Sequence, residues 1–89
     1  MIERSVQIKN RLGLHARAAV KFVNTANRFA AAVRVVKDGS EIDGKSILGI
    51  LTLAATQGTS IHLRLKGEDE KAALQALVDL IDGRFGEKE

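Results

Sequence analysis

Apolar and polar residues alternate along this chain with two periods, one of two residues and one close to 3.6. The first belongs to a pleated strand with one buried face, the second to a helix with an apolar stripe. Ile2, Val6 and Ile8 share one side of the first segment and Glu3, Ser5 and Gln7 the other, which predicts a half-buried strand from Ile2 to Ile8. Arg4 interrupts the inner side, so this strand belongs near a sheet edge. Asn10 to Gly13 reads as a turn. Ala19, Phe22, Val23 and Ala26 then recur at helical spacing, with Lys21, Asn24 and Asn27 opposite, and predict a helix from about Ala16 to Asn27. No glycine follows, so Asn27 or Arg28 must close it, and asparagine better tolerates a left-handed backbone. Phe29 is then expected to fold back toward the core.

Ala31 to Lys37 is β-branched and alternating, and Asp38-Gly39 is a pair favoured in two-residue type I′ turns. Ser40 to Asp43 is the short returning strand, broken at Gly44. Ser46 can cap a second helix, Ile47 to about Ala54, which is apolar nearly all round. Thr56 to Thr59 is a turn. Ser60 to Lys66 alternates strictly, with Ile61, Leu63 and Leu65 inward and His62 and Arg64 outward. The last helix runs from about Glu70 to Asp82 on a stripe of Ala73, Leu74, Leu77, Val78 and Ile81. Gly83 suits the position just past its end, and Phe85 to Glu89 should fray.

The order strand, helix, strand, strand, helix, strand, helix calls for three amphipathic helices on one face of a four-stranded sheet. The first two strands are joined by a helix and should run parallel, by a right-handed crossover. The fourth strand fills the gap between them. The expectation is a single α+β domain over residues 1–89, with an antiparallel sheet in the order 1-4-2-3.

Composition narrows the chemistry. Cysteine is absent, so there is no disulfide framework and no thiolate zinc site, and two histidines leave no confident metal site. Met1 to Ser5 includes an acid and lacks an apolar core, unlike a signal peptide, and no apolar run approaches a membrane span. The expected setting is the cytoplasm, with neither cofactor nor membrane insertion. A net charge of +3 suits an acidic protein partner or a phosphate without demanding nucleic acid.

Within that frame, Leu12-Gly13-Leu14-His15-Ala16-Arg17 holds the most chemistry. It ends an extended segment, turns on a glycine and opens a helix. A helix start leaves N–H groups without partners and carries partial positive charge, a ready seat for an anion. A neutral imidazole is a competent nucleophile, and a guanidinium can grip phosphate oxygens. Together, His15, the N–H groups of Ala16 and Arg17 and the Arg17 side chain suggest a group that accepts a phosphoryl and hands it on. The helix field also disfavours imidazolium.

Gly13-Leu14-His15-Ala16-Arg17-Ala18-Ala19 resembles the Gly-Leu-His-x-Arg-Pro-Ala signature of the HPr family of the bacterial phosphotransferase system. Gly44-Lys45-Ser46-Ile47-Leu48-Gly49 resembles the family's second segment, around a regulatory serine. The resemblance covers essentially the whole chain and implies an open-faced β-sandwich. It implies that Enzyme I, charged by phosphoenolpyruvate, phosphorylates His15 at Nδ1, and that His15 passes the group to an EIIA-type domain. The chain would then be a monomeric, stoichiometric carrier and not an enzyme, serving sugar uptake or a nitrogen-related regulatory branch. Ala18 stands where the family has proline. Alanine also suits a first turn, so the role should survive with altered loop rigidity or transfer rate.

Ser46 can be a helix cap, a phosphorylation site for an HPr kinase/phosphorylase, or both. Leu14, Ile47, Leu48 and Leu51 can form an apolar docking patch beside His15, with Ile47 and Leu48 partly exposed and Leu51 buried. Its rim would be Arg17, Lys21, Arg28 and Lys45. Gly39 to Ser46 also fits the phosphate-loop pattern G-x-x-x-x-G-K-S, but Gly39 belongs to a hairpin, and Glu41 and Asp43 would face the phosphates. His62 reads as a solvated histidine. The rival readings are a small nucleic-acid-binding domain, weakened by the lack of stacking aromatics, and a regulatory partner that binds without transfer.

Overall fold

The computed structural model describes residues 1–89. Its strands are β1 (Ile2–Gln7), β2 (Ala32–Lys37), β3 (Ser40–Asp43) and β4 (Ser60–Lys66). The helices are α1 (Ala16–Ala26), α2 (Ile47–Thr52) and α3 (Glu70–Asp82), followed by a 3₁₀ turn at Arg84–Gly86. The sheet order is β1-β4-β2-β3, antiparallel throughout, as expected.

Register explains why the alternation works. β4 sits between β1 and β2, so Leu65 lies opposite Ile2 on one side and Val33 on the other, and Leu63 lies opposite Val35. Those side chains make the inner face, and the stripes of α1 and α3 close over it, with Phe22, Leu77 and Ile81 fully buried. Arg4 is paired with Leu63 on the edge strand β1, where a charge on the inner face is tolerated.

The outer face carries a charged lattice. Arg34 and Arg64 lie directly opposite each other, an unfavourable pairing. Glu41 offsets it, accepting from Arg64 Nη1 at 2.7 Å and from Arg34 Nε at 3.4 Å. Asp69 accepts from the N–H groups of Ala30 and Ala31, each at 2.8 Å, and so ties the start of α3 to the approach of β2. Those bonds, the Ala30 one foremost, hold its carboxyl below the usual range.

Several element ends differ from the sequence expectations. β1 and β2 are each one residue shorter at one end. α1 runs to Ala26 with Asn27 as its C-cap, as expected, but Asn27 keeps a right-handed backbone with φ −70°. The helix ends by tightening, with Arg28 N–H bonded to Thr25 O and Phe29 N–H to Ala26 O, so no left-handed residue is needed. α2 stops at Thr52 because Ala54 turns left-handed at φ 51°. Gly83 is not left-handed either, at φ −81°. Arg84 and Phe85 take that conformation instead, at φ 57° and 54°.

The largest correction concerns Phe85 to Glu89, which do not fray. Phe85 is completely buried in the core, worth about 1.5–3 kcal/mol for such a side chain. Its carbonyl accepts from Lys21 Nζ at 2.5 Å. Past it the chain runs back to the start of α1, where Arg11 N–H donates to Glu89 O.

Candidate functional site

The turn before α1 is built around Asn10 and Gly13. Gly13 has φ +68°, and a Cβ there would overlap the Ala55 carbonyl oxygen, so only glycine fits without strain. Leu14 N–H bonds the same carbonyl at 2.9 Å. Asn10 is fully buried, and its Nδ2 donates to Gly13 O at 2.8 Å while its own carbonyl accepts from Gly13 N–H at 3.2 Å. This clamp delivers His15 to the N-cap of α1 with an extended backbone, φ −78° and ψ 178°.

His15 does not cap the helix with its ring. The first helical bond closed at this end runs from Ala19 N–H to His15 O at 2.8 Å, and the N–H groups of Ala16, Arg17 and Ala18 make no intramolecular hydrogen bond. Ala16 and Arg17 are exposed. The positive end of α1 therefore opens outward beside a ring whose side chain is 27% exposed. Arg17 forms no ion pair and lines a shallow depression of about 200 Å³ with Arg11, Leu12, Glu87, Lys88 and Glu89.

Glu87 was not foreseen. Its Oε2 lies 2.6 Å from His15 Nε2, and its Oε1 accepts from Asn10 Nδ2 at 3.0 Å. Burial pushes the Glu87 carboxyl up, but hydrogen bonds from His15 and Asn10 and the charges of His15 and Lys21 outweigh it, leaving the carboxyl below its ordinary value. A carboxylate only accepts, so the hydrogen between them belongs on Nε2. No local pattern announces Glu87, because its place depends on the left-handed pair Arg84-Phe85.

The docking expectations divide. Ile47 and Leu48 are exposed, at 41% and 72%. Leu14 is not: it is 4% exposed and packs in the core, because the Ala55 clamp turns it inward. Leu51 also reverses, being exposed at 36%, while Ile50 takes the buried place on short α2. Leu12 is exposed beside the turn, as is Val20 on α1. Lys21 and Lys45 are half-buried, with Lys45 Nζ donating to Phe29 O at 2.8 Å, so both hold loops in place. Arg28 is exposed, its guanidinium 5.7 Å from the centre of the Phe29 ring.

Ser46 caps α2, its Oγ accepting from Gly49 N–H at 3.0 Å. His62 is not simply solvated. It is gripped on the open face by Glu3 at 2.6 Å and Ser5 at 3.0 Å.

A family model described as the PTS HPr component phosphorylation site matches residues 2–83. The chain is 52% identical to phosphocarrier protein HPr of Neisseria meningitidis serogroup A over 89 residues, covering 100% of both chains. It superimposes on the crystal structure of HPr-C-His from Thermoanaerobacter tengcongensis with a TM-score of 0.96 at 46% identity, covering 100% of each. A dimer structure of HPr from the same organism gives a TM-score of 0.79 at 47% identity, covering 98% of this chain and 100% of that one.

Proposed function

The chain belongs to the HPr family of phosphotransferase-system phosphocarriers, and on that premise we propose that His15 Nδ1 is its phosphoryl acceptor. The observation that carries this reading is the half-buried imidazole at the mouth of α1, beside first-turn N–H groups that make no intramolecular bond. Phosphoryl transfer asks chiefly for positioning and for charge stabilisation on the equatorial oxygens. The N–H groups of Ala16 and Arg17 and the Arg17 guanidinium supply the second.

The donor is a phosphohistidine on Enzyme I, itself charged by phosphoenolpyruvate. Its P–N bond breaks as the bond to Nδ1 forms, and the reverse exchange delivers the group to a histidine of an EIIA-type domain. The protein is thus a stoichiometric carrier without turnover of its own, acting as a monomer in the cytoplasm. Partners dock transiently on Leu12, Ile47, Leu48 and Leu51, with Arg17 and Arg28 at the margin. Ser46 serves as cap and, where an HPr kinase/phosphorylase exists, as a second phosphorylation site at the same margin. The nucleic-acid reading gains no support, since Phe22 and Phe85 are buried and Phe29 packs against the core.

The test is incubation with phosphoenolpyruvate and Enzyme I. An acid-labile, base-stable phosphate on the wild type, absent from His15→Ala, is the expected result. Equal labelling of both proteins would contradict it.

A further inference from the structure

We propose that Glu87 is a positioning residue for phosphoryl transfer: it holds the proton on His15 Nε2, and so keeps the Nδ1 lone pair aimed at the donor. The inference rests on His15 being the acceptor and extends it to a residue outside the motif around that histidine.

Three observations place Glu87 there. Phe85 is buried and Lys21 fastens its carbonyl, fixing the chain just before Glu87. Arg11 fastens the chain just after it, pairing its guanidinium with the Glu89 carboxylate at 2.8 Å. Between those anchors the two oxygens of Glu87 divide their work, one on buried Asn10 and one on the ring. Asn10 also holds Gly13, so one side chain sets both the turn that presents His15 and the carboxylate that orients it.

The chemistry follows from the proton count. With hydrogen on Nε2, the neutral ring has its lone pair on Nδ1, and no proton must leave before attack. When the P–Nδ1 bond forms and the donor's P–N bond breaks, Nε2 keeps its hydrogen and the ring gains positive charge. Glu87 then faces a cation across a charge-assisted hydrogen bond, at the edge of the ring away from the phosphoryl group. The contact is therefore stronger in the phosphorylated protein and favours loading.

Full-length protein, wild type and Glu87→Ala, Glu87→Gln and Glu87→Asp, tests this with two readouts. The first is the ring N–H resonance of His15 in ¹⁵N-labelled protein without any donor. A downfield Nε2–H signal is expected in the wild type and in Glu87→Gln, which keeps an acceptor, and its loss in Glu87→Ala. The second is the phosphorylated fraction at a fixed phosphoenolpyruvate-to-pyruvate ratio with Enzyme I. Glu87→Ala should shift that equilibrium at least about tenfold toward the free form, the low end for a lost hydrogen bond to a charged group. Glu87→Gln should fall between, and Glu87→Asp should recover most of it, while thermal melting stays near wild type in all three. An unchanged ring signal and an unchanged equilibrium in Glu87→Ala would overturn the proposal. If the wild type takes no phosphate on His15, the acceptor reading fails, and the ring signal still decides whether Glu87 holds the proton.

Discussion

Two histidines in this molecule make the same contact in different surroundings. His15 Nε2 lies 2.6 Å from Glu87, and His62 Nε2 lies 2.6 Å from Glu3. At His62 the second ring nitrogen is engaged by Ser5 Oγ at 3.0 Å, and Arg64 stands beside the same Glu3 at 3.7 Å. Both nitrogens of that ring are thus engaged, on the sheet face away from the helices. At His15, Nδ1 has no partner within the chain, and the first turn of α1 opens next to it. A carboxylate partner alone does not make a histidine reactive. What separates the two is the occupancy of the other nitrogen and the field around it.

The comparison breaks most sharply by substitution. His15→Ala should abolish phosphorylation by Enzyme I, and His62→Ala should leave its rate within about twofold, since single surface pairs contribute little. Labelling assays on the two variants check this directly. Next in size is Phe85→Ala. Removing a fully buried aromatic should cost about 3–5 kcal/mol in denaturant unfolding. It should also release residues 87–89 from the His15 site, seen as faster hydrogen exchange at Glu87 and at Arg11, whose N–H donates to Glu89 O, with no comparable change around His62.

Acid separates the pairs more gently. The His62 hydrogen bond, ahead of Arg64, holds the Glu3 carboxyl below its ordinary value. Glu3 therefore contributes stability that is fully present above the unfolded carboxylate value, about 4.3, and is lost as pH falls through the lower folded value. Glu3→Gln should flatten the fall in stability in that acid window and leave phosphorylation at neutral pH unchanged. The smallest effect expected is from Ala18→Pro. Ala18 N–H has no intramolecular partner, so proline removes no bond and should raise stability by at most about 1 kcal/mol. Thermal melting measures it, and a gain there with slower transfer would show that loop stiffness matters at His15 and not at His62.

Much of this was legible in the sequence, for local reasons. Strict alternation in Ser60 to Lys66 located β4 and its inward face, and Asp38-Gly39 gave the hairpin, with φ 50° and 81° at its two residues. His15 and Arg17 were visible because they lie two residues apart at a helix start. The rest depended on contacts between distant segments. Leu14 looked available for docking until the Ala55 carbonyl turned it inward. Glu87 is 72 residues from His15, and it arrives only because Phe85 adopts a left-handed backbone that seats its ring in the core. No periodicity encodes that step.

One ring nitrogen, Nδ1 of His15, is the proposed acceptor of the phosphoryl group. Phosphorylating ¹⁵N-labelled protein with Enzyme I and recording long-range histidine correlations together with ³¹P–¹⁵N coupling tests it most directly. The expected result is phosphorus coupled to His15 Nδ1, with hydrogen retained on Nε2. Phosphorus on Nε2 of His15, or on His62, would contradict it.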